Sequence, residues 1–240
     1  MHKSILRLAG FALAAALLLT GCDGGVLSGG VNRPAVESAE LQFAGPAEGD
    51  TIAIFDTSQG EIRAVLYPDA APMAVENFIG LAQQGYYNGT VFHRVVEGFV
   101  VQGGDGTGSG SGGTSIWQGN PYPLEWTDSL HHYAGALCAA FSPESSVSGL
   151  SQFYFVEARP GLTEEQKSQL ANAGYRQEVI DAYAAAGGLP YLDNTDTVFG
   201  QVYAGMDVVD GIAQTEVDEN GRPVEDVILN SVTIVTYTAG

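Results

Sequence analysis

The sequence predicts a mainly β domain in which an antiparallel sheet closes into a barrel. Short apolar runs of strand length recur along the chain, at 91–96, 100–102, 136–140, 153–156, 198–202 and 232–237. Long loops separate these runs, and the strands do not alternate regularly with helices, which argues against a doubly wound parallel sheet. Two flanking helices and one helical insertion complete the predicted fold.

The chain opens with the features of an export signal. Lys3 and Arg7 precede an apolar run from Leu8 to Thr20, which is too short to favour a membrane span. The run ends in LLTGC, which resembles the lipobox of bacterial lipoproteins. This resemblance implies a signal peptide at 1–21 and lipid on the sulfur of Cys22, whereas the alternative is an ordinary secretion signal with an incidental cysteine. An extracytoplasmic protein with a lipid anchor in the cell membrane is therefore expected.

Residues 22–50 are rich in Gly, Ser, Pro, Ala and Glu and show little apolar periodicity, which predicts a flexible tether. The folded domain is then expected at 51–240, a length typical of one domain. Removal of the signal leaves seven basic and 28 acidic residues, a formal charge of −21. Nucleic acid and anionic lipid would be repelled, so neither is an expected partner. One domain on a tether also predicts a monomer.

The first two strands are predicted as a hairpin. In TIAIFDTSQGEIRAVLYP, Ile62, Ala64 and Leu66 recur at the period of a strand, and Ser58-Gln59-Gly60 supplies the turn. The next segment, APMAVENFIGLAQQG, predicts a helix. Pro72 suits the first turn of that helix, and apolar residues recur along one face at helical spacing.

The stretch VFHRVVEGFVVQGGDGTG, from Val91, raises the main question of the sequence. It has the apolar and β-branched residues of a core strand, yet it contains Arg94 and its strand ends at Gln102. Strand alternation places Phe92, Arg94 and Val96 on one face. Because an unpaired charge in a core is costly, the arginine either reaches water along its methylene groups or serves a function.

The glycine tract GGDGTGSGSGG that follows contains the spacing of a dinucleotide-binding fingerprint. A phosphate site of that kind needs its glycines between a strand and the N-terminus of a helix. The next segment, TSIWQGNPYPLEW, contains two prolines and two tryptophans and does not have a helical character. The tract is therefore predicted to be a wide surface loop, and no nucleotide cofactor is expected.

Later in the chain, GLTEEQKSQLANAGYRQEVIDAYAAAGGLP has a helical character. Thr163 and Gln166 have the spacing of a capping box, so a helical insertion is predicted at about 162–188, with an unstructured loop as the alternative. A further helix is predicted in GMDVVDGIAQ. His131 and His132 are adjacent and would face opposite ways along a strand, so no metal site is expected there.

Five blocks of the domain resemble, in order, the sequence of the cyclophilins, a family of peptidyl-prolyl cis-trans isomerases. FHRVVEGFVVQGGD resembles the family signature, and APMAVENFIGLAQQGYYNGTVFHRV resembles the first helix and the approach to that signature. GALCAA and SQFYF are similar to two later strands, and LDNTDTVFGQVYAGMDVVDGI resembles the closing segment. The resemblance implies a closed antiparallel barrel of cyclophilin type.

The resemblance also implies the roles of individual residues. Arg94 matches the catalytic arginine, and Gln102 matches the glutamine that directs it. Gln152 matches a second glutamine of the substrate groove. His93 is interpreted as structural. The other positions expected to bind substrate, in the proline pocket and at its borders, are Phe99, Val100, Ala140, Phe141, Tyr154, Tyr191, Leu192 and Asp196.

Several of these positions depart from the family pattern. Val100 stands where methionine is common and Tyr154 where phenylalanine is usual, so the pocket stays largely apolar. Phe141 replaces an asparagine at a position that works mostly through its backbone. Tyr191 replaces a tryptophan, and Asp196 replaces a histidine of the rim, which bears on substrate preference.

The chemistry that the resemblance implies needs neither a cofactor nor a covalent intermediate. Rotation about an X-Pro bond is slow because it breaks amide resonance, with a barrier of about 18–20 kcal/mol. The enzyme has to bind the twisted amide preferentially, and Arg94 can hydrogen-bond the nitrogen of that amide. Pro-containing unfolded or exported polypeptides are the implied partners, and assistance to their folding outside the cytoplasmic membrane is the implied role.

Two other hypotheses belong to different classes. A membrane-tethered binding module or holdase of the same fold would bind Pro-containing segments with little turnover. Arg94, Phe99 and Gln102 favour the isomerase, whereas Asp196 and the long loops leave room for the binding module. A lipoprotein that binds a small solute would require an additional lobe, for which the chain is too short.

Overall fold

The computed structural model of the 240-residue chain describes residues 31, 33, 35–141 and 147–239. The predicted signal peptide at 1–21 and Cys22 lie outside the described residues, as does the stretch 142–146. The described part contains nine strands and four helices, in the order β1 (Thr51–Thr57), β2 (Gly60–Leu66), α1 (Pro72–Gln83), β3 (Thr90–Val91), β4 (Arg94–Val96), β5 (Val100–Gly103), β6 (Ala136–Ala139), β7 (Phe153–Val156), α2 (Glu164–Asn172), α3 (Gln177–Ala186), β8 (Thr197–Ala204), α4 (Met206–Ala213) and β9 (Ile228–Thr236).

The strands form one antiparallel sheet in the order β3-β9-β1-β2-β8-β6-β7-β5-β4. The predicted β1–β2 hairpin is confirmed, with Thr57 paired to Gly60 across the turn. The sheet curls into a half-barrel that is open between β3 and β4, because no ladder among the described residues joins these edge strands. The mainly β antiparallel class is thus confirmed, whereas the predicted closure of the barrel is wrong.

The opening arises where the chain bends between β3 and β4. Phe92 and His93 interrupt what the sequence predicts as one strand. The N–H of Phe92 donates to the carbonyl of Val227 at 3.0 Å, and the N–H of Val95 donates to the carbonyl of Gly221 at 2.7 Å. The segment that follows α4 therefore takes the hydrogen bonds that a closing ladder would have formed.

The inner side of the sheet encloses a core that is rich in aromatic rings. Phe55, Phe153 and Phe155 have ring centroids 5.0–5.7 Å apart. Phe92 is 1% exposed and belongs to this core, with its ring 6.3 Å from that of Phe153. The predicted common face of Phe92 and Arg94 is therefore wrong, because the interruption of the strand turns Phe92 inward.

A second cluster of buried residues lies on the outer side of β5, β6, β7 and β8. On β7, Phe153 and Phe155 belong to the inner core, whereas Tyr154 and Val156 belong to the outer cluster. Leu130 and Leu189, from two loops, cover this outer side. Burial on both faces explains why β7 is a continuous apolar run rather than an alternating one.

The two predicted flanking helices are α1, which packs against β9 and β8, and α4, which packs against β2, β5 and β4. Pro72 occupies the first turn of α1, as predicted, but the residue before it provides no side-chain cap. The carboxylate of Glu125 accepts the N–H groups of Met73 and Ala74 at 3.0 and 2.9 Å instead. A negative charge is favourable at this end of a helix, so the contact ties the loop before β6 to α1.

The segment predicted as a helical insertion contains two helices, α2 and α3, which confirms its helical character. The side chain of Thr163 accepts the N–H of Gln166 at 3.2 Å, and the side chain of Gln166 accepts the N–H of Thr163 at 2.8 Å, which completes the predicted capping box. No residue of α2 is buried, whereas Val179, Ile180 and Tyr183 of α3 are. The insertion is therefore held on the domain through α3.

Part of the segment predicted as a tether is described, and it lies against the domain. Gln42 is 5% exposed, and its side chain donates to the carbonyl of His131 at 2.9 Å and accepts the His131 N–H at 2.7 Å. The tether at 22–50 stays a prediction as a whole, because residues 22–30 lie outside the described residues. None of the helices in the described part of the chain combines the length and the hydrophobicity needed to cross a membrane.

Candidate active site

The seven cationic side chains that follow Cys22 divide into six that form ion pairs and one that forms none with a described carboxylate. The unpaired one is Arg94. The six that lie beside an aspartate or a glutamate are Arg33, Arg63, Arg159, Lys167, Arg176 and Arg222. In a chain with 28 acidic residues, the guanidinium of Arg94 is thus left for another partner.

Arg94 lies half-buried on the outer side of the sheet, beside Phe99. Its Cζ atom is 5.2 Å from the centroid of the Phe99 ring, within the range of a cation–π contact. Its Nη1 donates to Oε1 of Gln102 at 3.3 Å. Register explains this contact, because Arg94 on β4 is directly paired with Gln102 on β5. The structure therefore brings the two predicted catalytic residues together.

Gln152 extends this contact into a chain of amides. Nε2 of Gln102 donates to Oε1 of Gln152 at 2.9 Å, and Nε2 of Gln152 donates to the carbonyls of Gly110 and Gly112 at 3.0 and 2.7 Å. Because a guanidinium can only donate, Gln102 must present its oxygen to Arg94, and the orientation of both amides follows from that. A chain of hydrogen bonds that starts at the glycine loop and passes through Gln152 and Gln102 therefore orients the guanidinium of Arg94.

The glycine tract is a loop, as predicted, and one carboxylate organises it. Asp105 is 0% exposed and accepts hydrogen bonds from both the N–H and the hydroxyl of Thr107, from the hydroxyl of Ser109 and from the N–H groups of Gly110 and Gly112, at 2.7–3.2 Å. Burial alone would raise the pKa of Asp105, but the hydrogen bonds from Thr107, Gly112 and Gly110 lower it to about 2. Sequence reasoning did not single out Asp105, although an acid among flexible N–H donors was an available signal.

Apolar residues of the predicted proline pocket cluster on the same outer side of the sheet as Arg94. Val100 is 2% and Tyr154 4% exposed, and both belong to the outer cluster of buried residues. Phe99, Ala140 and Leu192 are half-buried and pack against the same cluster. The structure therefore brings five of the predicted substrate-binding residues to one place, next to the guanidinium.

The pocket also holds a polar pair. The hydroxyl of Tyr154 donates to Oδ2 of Asp196 at 2.7 Å. Burial raises the pKa of the Asp196 carboxyl, an effect that the hydrogen bond from Tyr154 partly offsets. The sequence singled out both residues but not their contact, which depends on how the loop after Leu192 returns to β7.

Two predicted rim residues behave differently from each other. Tyr191 is 66% exposed, and its ring is stacked against Phe99 with centroids 6.5 Å apart and planes 18° apart, so it extends the aromatic wall of the pocket. The ring of Phe141 packs instead against the inner core, edge-on to Tyr122 at 5.9 Å. The sequence-based expectation is that Phe141 acts mostly through its backbone, and this role stays a prediction. Its backbone stays at the site, where it hydrogen-bonds the Asp196 carboxyl.

His93 fits the structural interpretation, which stays a prediction. It is 8% exposed, and its Nδ1 makes no hydrogen bond within the described part of the chain. Burial lowers the pKa of His93, which favours the neutral ring. A Cβ at Gly110 would lie 3.1 Å from Cδ2 of His93, so the glycine loop packs closely on this ring.

The adjacent histidines do not face opposite ways, because they lie in a loop rather than a strand. Nδ1 of His131 and Nδ1 of His132 both lie within hydrogen-bond distance of the carboxylate of Asp193, at 3.0 and 2.8 Å. Sequence reasoning missed this role of Asp193, and its place directly after Leu192 was the available signal. Among the described residues, no group of three His, Cys, Asp or Glu side chains is arranged to hold a metal ion.

Comparison with known proteins agrees with this geometry. Residues 52–234 match the family model of the cyclophilin type peptidyl-prolyl cis-trans isomerase/CLD. A protein of Staphylococcus saprophyticus that is named as a peptidyl-prolyl cis-trans isomerase is 42% identical over 182 residues, which are 76% of this chain and 90% of that protein. A protein of the same name from Staphylococcus aureus strain USA300 is 37% identical over 187 residues, 78% of this chain and 93% of that protein.

A solved structure shows the same likeness. The crystal structure of a Cryptosporidium parvum cyclophilin type peptidyl-prolyl cis-trans isomerase, in the presence of the dipeptide Ala-Pro, matches with a TM-score of 0.62 and 25% identity. The match covers 78% of this chain and 99% of the other. With the family model spanning most of the sheet and the relatives aligned over nearly their whole length, the chain belongs to the cyclophilin-type peptidyl-prolyl cis-trans isomerase family.

Proposed function

We propose that this isomerase catalyses cis–trans rotation of X-Pro bonds in unfolded, exported polypeptides and so assists their folding outside the cytoplasmic membrane. The observation that carries the proposal is the guanidinium of Arg94, which pairs with no described carboxylate, whereas the other six cations after Cys22 form ion pairs. It lies on the same side of the sheet as the apolar residues of the predicted pocket. The Ala-Pro dipeptide named with the Cryptosporidium parvum structure supports Pro-containing peptides as substrates.

The arginine suits the electronic change that rotation causes. When the X-Pro amide twists, resonance is lost and the prolyl nitrogen regains a lone pair that can accept a hydrogen bond. Arg94 can donate to that nitrogen only in the twisted state, which is the condition for accelerating the rotation rather than merely binding the peptide. Its charge is permanent, and its donors lie in a fixed plane.

The remaining residues of the site hold the two partners in place. The pocket of Phe99, Val100, Tyr154 and Leu192 receives the proline ring and keeps it still while the preceding carbonyl swings. Burial of the ring excludes water and strengthens the hydrogen bond from Arg94. Each additional 1.4 kcal/mol or so of binding to the twisted state raises the rate about tenfold.

Substitution of Arg94 tests the function. Arg94→Ala should lower kcat/KM for a peptide with an Ala-Pro bond by about 100-fold, the cost of removing one aligned donor from a transition state. Arg94→Lys should be impaired as well, because a lysine lacks the planar set of donors. Exchange spectroscopy on the peptide, or a protease-coupled assay, measures the rate, and circular dichroism checks the fold.

A matched arginine provides the control. Arg63 is exposed and pairs with Glu61 on the surface, so Arg63→Ala should leave the rate unchanged. Full turnover by Arg94→Ala would overturn the mechanism. If the wild-type domain binds the peptide without accelerating exchange, the chain is the tethered binding module or holdase instead.

A lipid anchor belongs to the same proposal. The LLTGC motif supports cleavage of residues 1–21 and lipidation of Cys22, with a monomeric domain held at the outer side of the cell membrane. Within the proposed tether at 22–50, Arg33 and Gln42 contact the domain. Cys22→Ser should move the protein from the membrane fraction to the soluble fraction, whereas Cys138→Ser should not. An unchanged membrane fraction in Cys22→Ser would contradict the anchor.

A further inference from the structure

A single buried carboxylate joins the helical insertion to the rim of the proline pocket. The side chain of Asp193 is 5% exposed. Its Oδ1 accepts the N–H of His132 at 2.9 Å and lies 2.8 Å from Nδ1 of the same residue, and its Oδ2 lies 3.0 Å from Nδ1 of His131. The hydroxyl of Tyr183 donates to Oδ2 at 2.8 Å, and the hydroxyl of Tyr175 lies 3.1 Å from the same atom.

The two tyrosines come from the insertion. Tyr183 lies in α3, and Tyr175 lies in the turn between α2 and α3. The hydroxyl of Tyr175 is also 2.9 Å from the carbonyl of Pro190. Pro190–Leu192 form a short 3-10 helix, which Asp193 follows directly, so both tyrosines reach the segment that carries the predicted pocket residue Leu192.

The carboxylate can hold this position only while it keeps its donors. A buried ionised carboxylate is costly unless hydrogen bonds compensate its lost hydration. Burial would raise the pKa of Asp193, but the hydrogen bonds with His131 and His132 keep it well below its ordinary value. Loss of both hydroxyls would leave Oδ2 with His131 as its remaining partner among the described residues, and the segment after Leu192 could then shift toward water.

We propose that Tyr175 and Tyr183 are positioning residues of the isomerase, which act through Asp193 to hold Leu192 against the proline ring. The insertion would thereby serve substrate binding and not only stability. This inference rests on the proposed function, because it assigns Leu192 to the proline pocket.

The expected effect falls on binding rather than on the chemical step. Leu192 contacts the proline ring in both the planar and the twisted state, so its loss of position raises KM. The Arg94–Gln102–Gln152 chain starts from the glycine loop and does not involve the insertion, so kcat should be preserved. Loss of stability alone would instead lower the active fraction without moving KM.

The experiment compares three tyrosine-to-phenylalanine variants of one buried cluster. Tyr133 packs against Tyr183 with ring centroids 4.6 Å apart, but its hydroxyl forms no hydrogen bond with any described residue. Tyr133→Phe is therefore the matched control. Rates of catalysed exchange on a peptide with an Ala-Pro bond, measured over a range of peptide concentrations, give kcat and KM for each variant.

The double variant Tyr175→Phe/Tyr183→Phe should raise KM about five- to tenfold with kcat changed less than about twofold, and Tyr133→Phe should match the wild type. An unchanged KM in the double variant would overturn the inference, as would an equal rise of KM in Tyr133→Phe. If the double variant does not fold, Tyr175→Phe alone should raise KM about two- to threefold, and no rise would count against the proposal.

The wild-type protein separates this inference from the proposed function. If the wild type does not catalyse exchange, the proposed function is refuted. The positioning role of the two tyrosines is then tested by peptide binding instead. Peptide titration followed by NMR then gives the dissociation constant of each variant. Weaker binding in the double variant, with a shift of the Leu192 methyl signals, supports the positioning role, and unchanged binding excludes it.

Discussion

Arg94 forms no ion pair with a described carboxylate, and its neighbours orient it without neutralising its charge. Gln102 offers an amide oxygen at 3.3 Å, and Phe99 offers the face of a ring. A carboxylate in either place would form an ion pair and compete with the substrate for the same donors. An amide keeps one orientation only if its own polar groups are hydrogen-bonded. Gln152 provides the acceptor for Gln102, and the carbonyl of Gly112 provides the acceptor for Gln152.

The Tyr154–Asp196 pair should make stability depend on pH. Burial raises the pKa of Asp196, so the folded state holds this proton more firmly than the unfolded state, and stability falls as pH rises through the folded pKa. The Tyr154 hydroxyl favours the ionised form, so Tyr154→Phe should raise that pKa further. We expect Tyr154→Phe to lower the free energy of unfolding by about 1–3 kcal/mol at neutral pH and by less near pH 4 or so, as measured by urea unfolding.

The double variant Tyr154→Phe/Asp196→Asn is the control for this prediction. It replaces the carboxylate by a neutral amide, so the additional pH dependence should disappear. A loss of stability in Tyr154→Phe that is the same at both pH values would show that the hydroxyl acts through packing and not through the charge of Asp196.

Strands and helices are predictable from this sequence where the signal is local. The β1–β2 hairpin follows from strand period and a turn, and the capping box at Thr163 marks the start of α2. The break between β3 and β4 is not local. It depends on hydrogen bonds from Phe92 and Val95 to carbonyls more than 120 residues away, at Val227 and Gly221. A period-two pattern cannot reveal such an interruption, so the run at 91–96 was predicted as one strand.

The residues of the site divide in the same way, into those placed by local pairing and those placed by contacts between distant segments. The pairing of Arg94 with Gln102 follows from the register of two adjacent strands, and the family resemblance supplied their roles. The contacts of Asp193 and Glu125 were not predicted, because each carboxylate accepts hydrogen bonds from donors in other segments of the chain. Acidic residues in loops have no periodicity, so only the folded chain shows which of them are buried.

At the scale of the whole molecule, Arg33, which precedes the first strand, connects several distant segments. Arg33 donates to both carboxylate oxygens of Asp210 at 2.8 and 2.6 Å, to the carbonyl of Ala158 at 2.8 Å and to Glu157 at 3.4 Å. Glu157 also accepts the N–H of Gly98, in the turn before the pocket residue Phe99. One guanidinium thus joins the N-terminal segment to α4, to the end of β7 and to the border of the site. We call these contacts the Arg33 clamp.

If Cys22 is lipidated, as proposed, the contacts of Arg33 would also limit how far the domain can lie from the membrane. Eleven residue steps separate Cys22 from Arg33. At about 3.3–3.6 Å per residue, a fully extended chain of that length spans about 40 Å at most. In that case the held part of the chain would begin within about this distance of the lipid.

Removal of the Arg33 clamp should destabilise the domain, because two buried carboxylates lose their counter-charge. The side chains of Glu157 and Asp210 are 1% and 4% exposed, so Arg33→Met leaves both without their shared counter-charge. We expect the free energy of unfolding to fall by about 3 kcal/mol or more at neutral pH. Burial already raises the pKa of Glu157, and loss of Arg33 raises it further. The folded state then binds that proton more firmly, so the loss should shrink as pH falls below the folded pKa.

Urea unfolding of the protein at about pH 5 and about pH 8 measures this effect. Arg63→Met is the matched control, since it removes an exposed pair with Glu61 that should contribute only about 0–1 kcal/mol at either pH. Equal losses in the two variants would contradict the clamp and would place the start of the folded domain after Arg33. A larger loss in Arg33→Met that grows with pH would establish that the folded part of the chain includes Arg33, before β1.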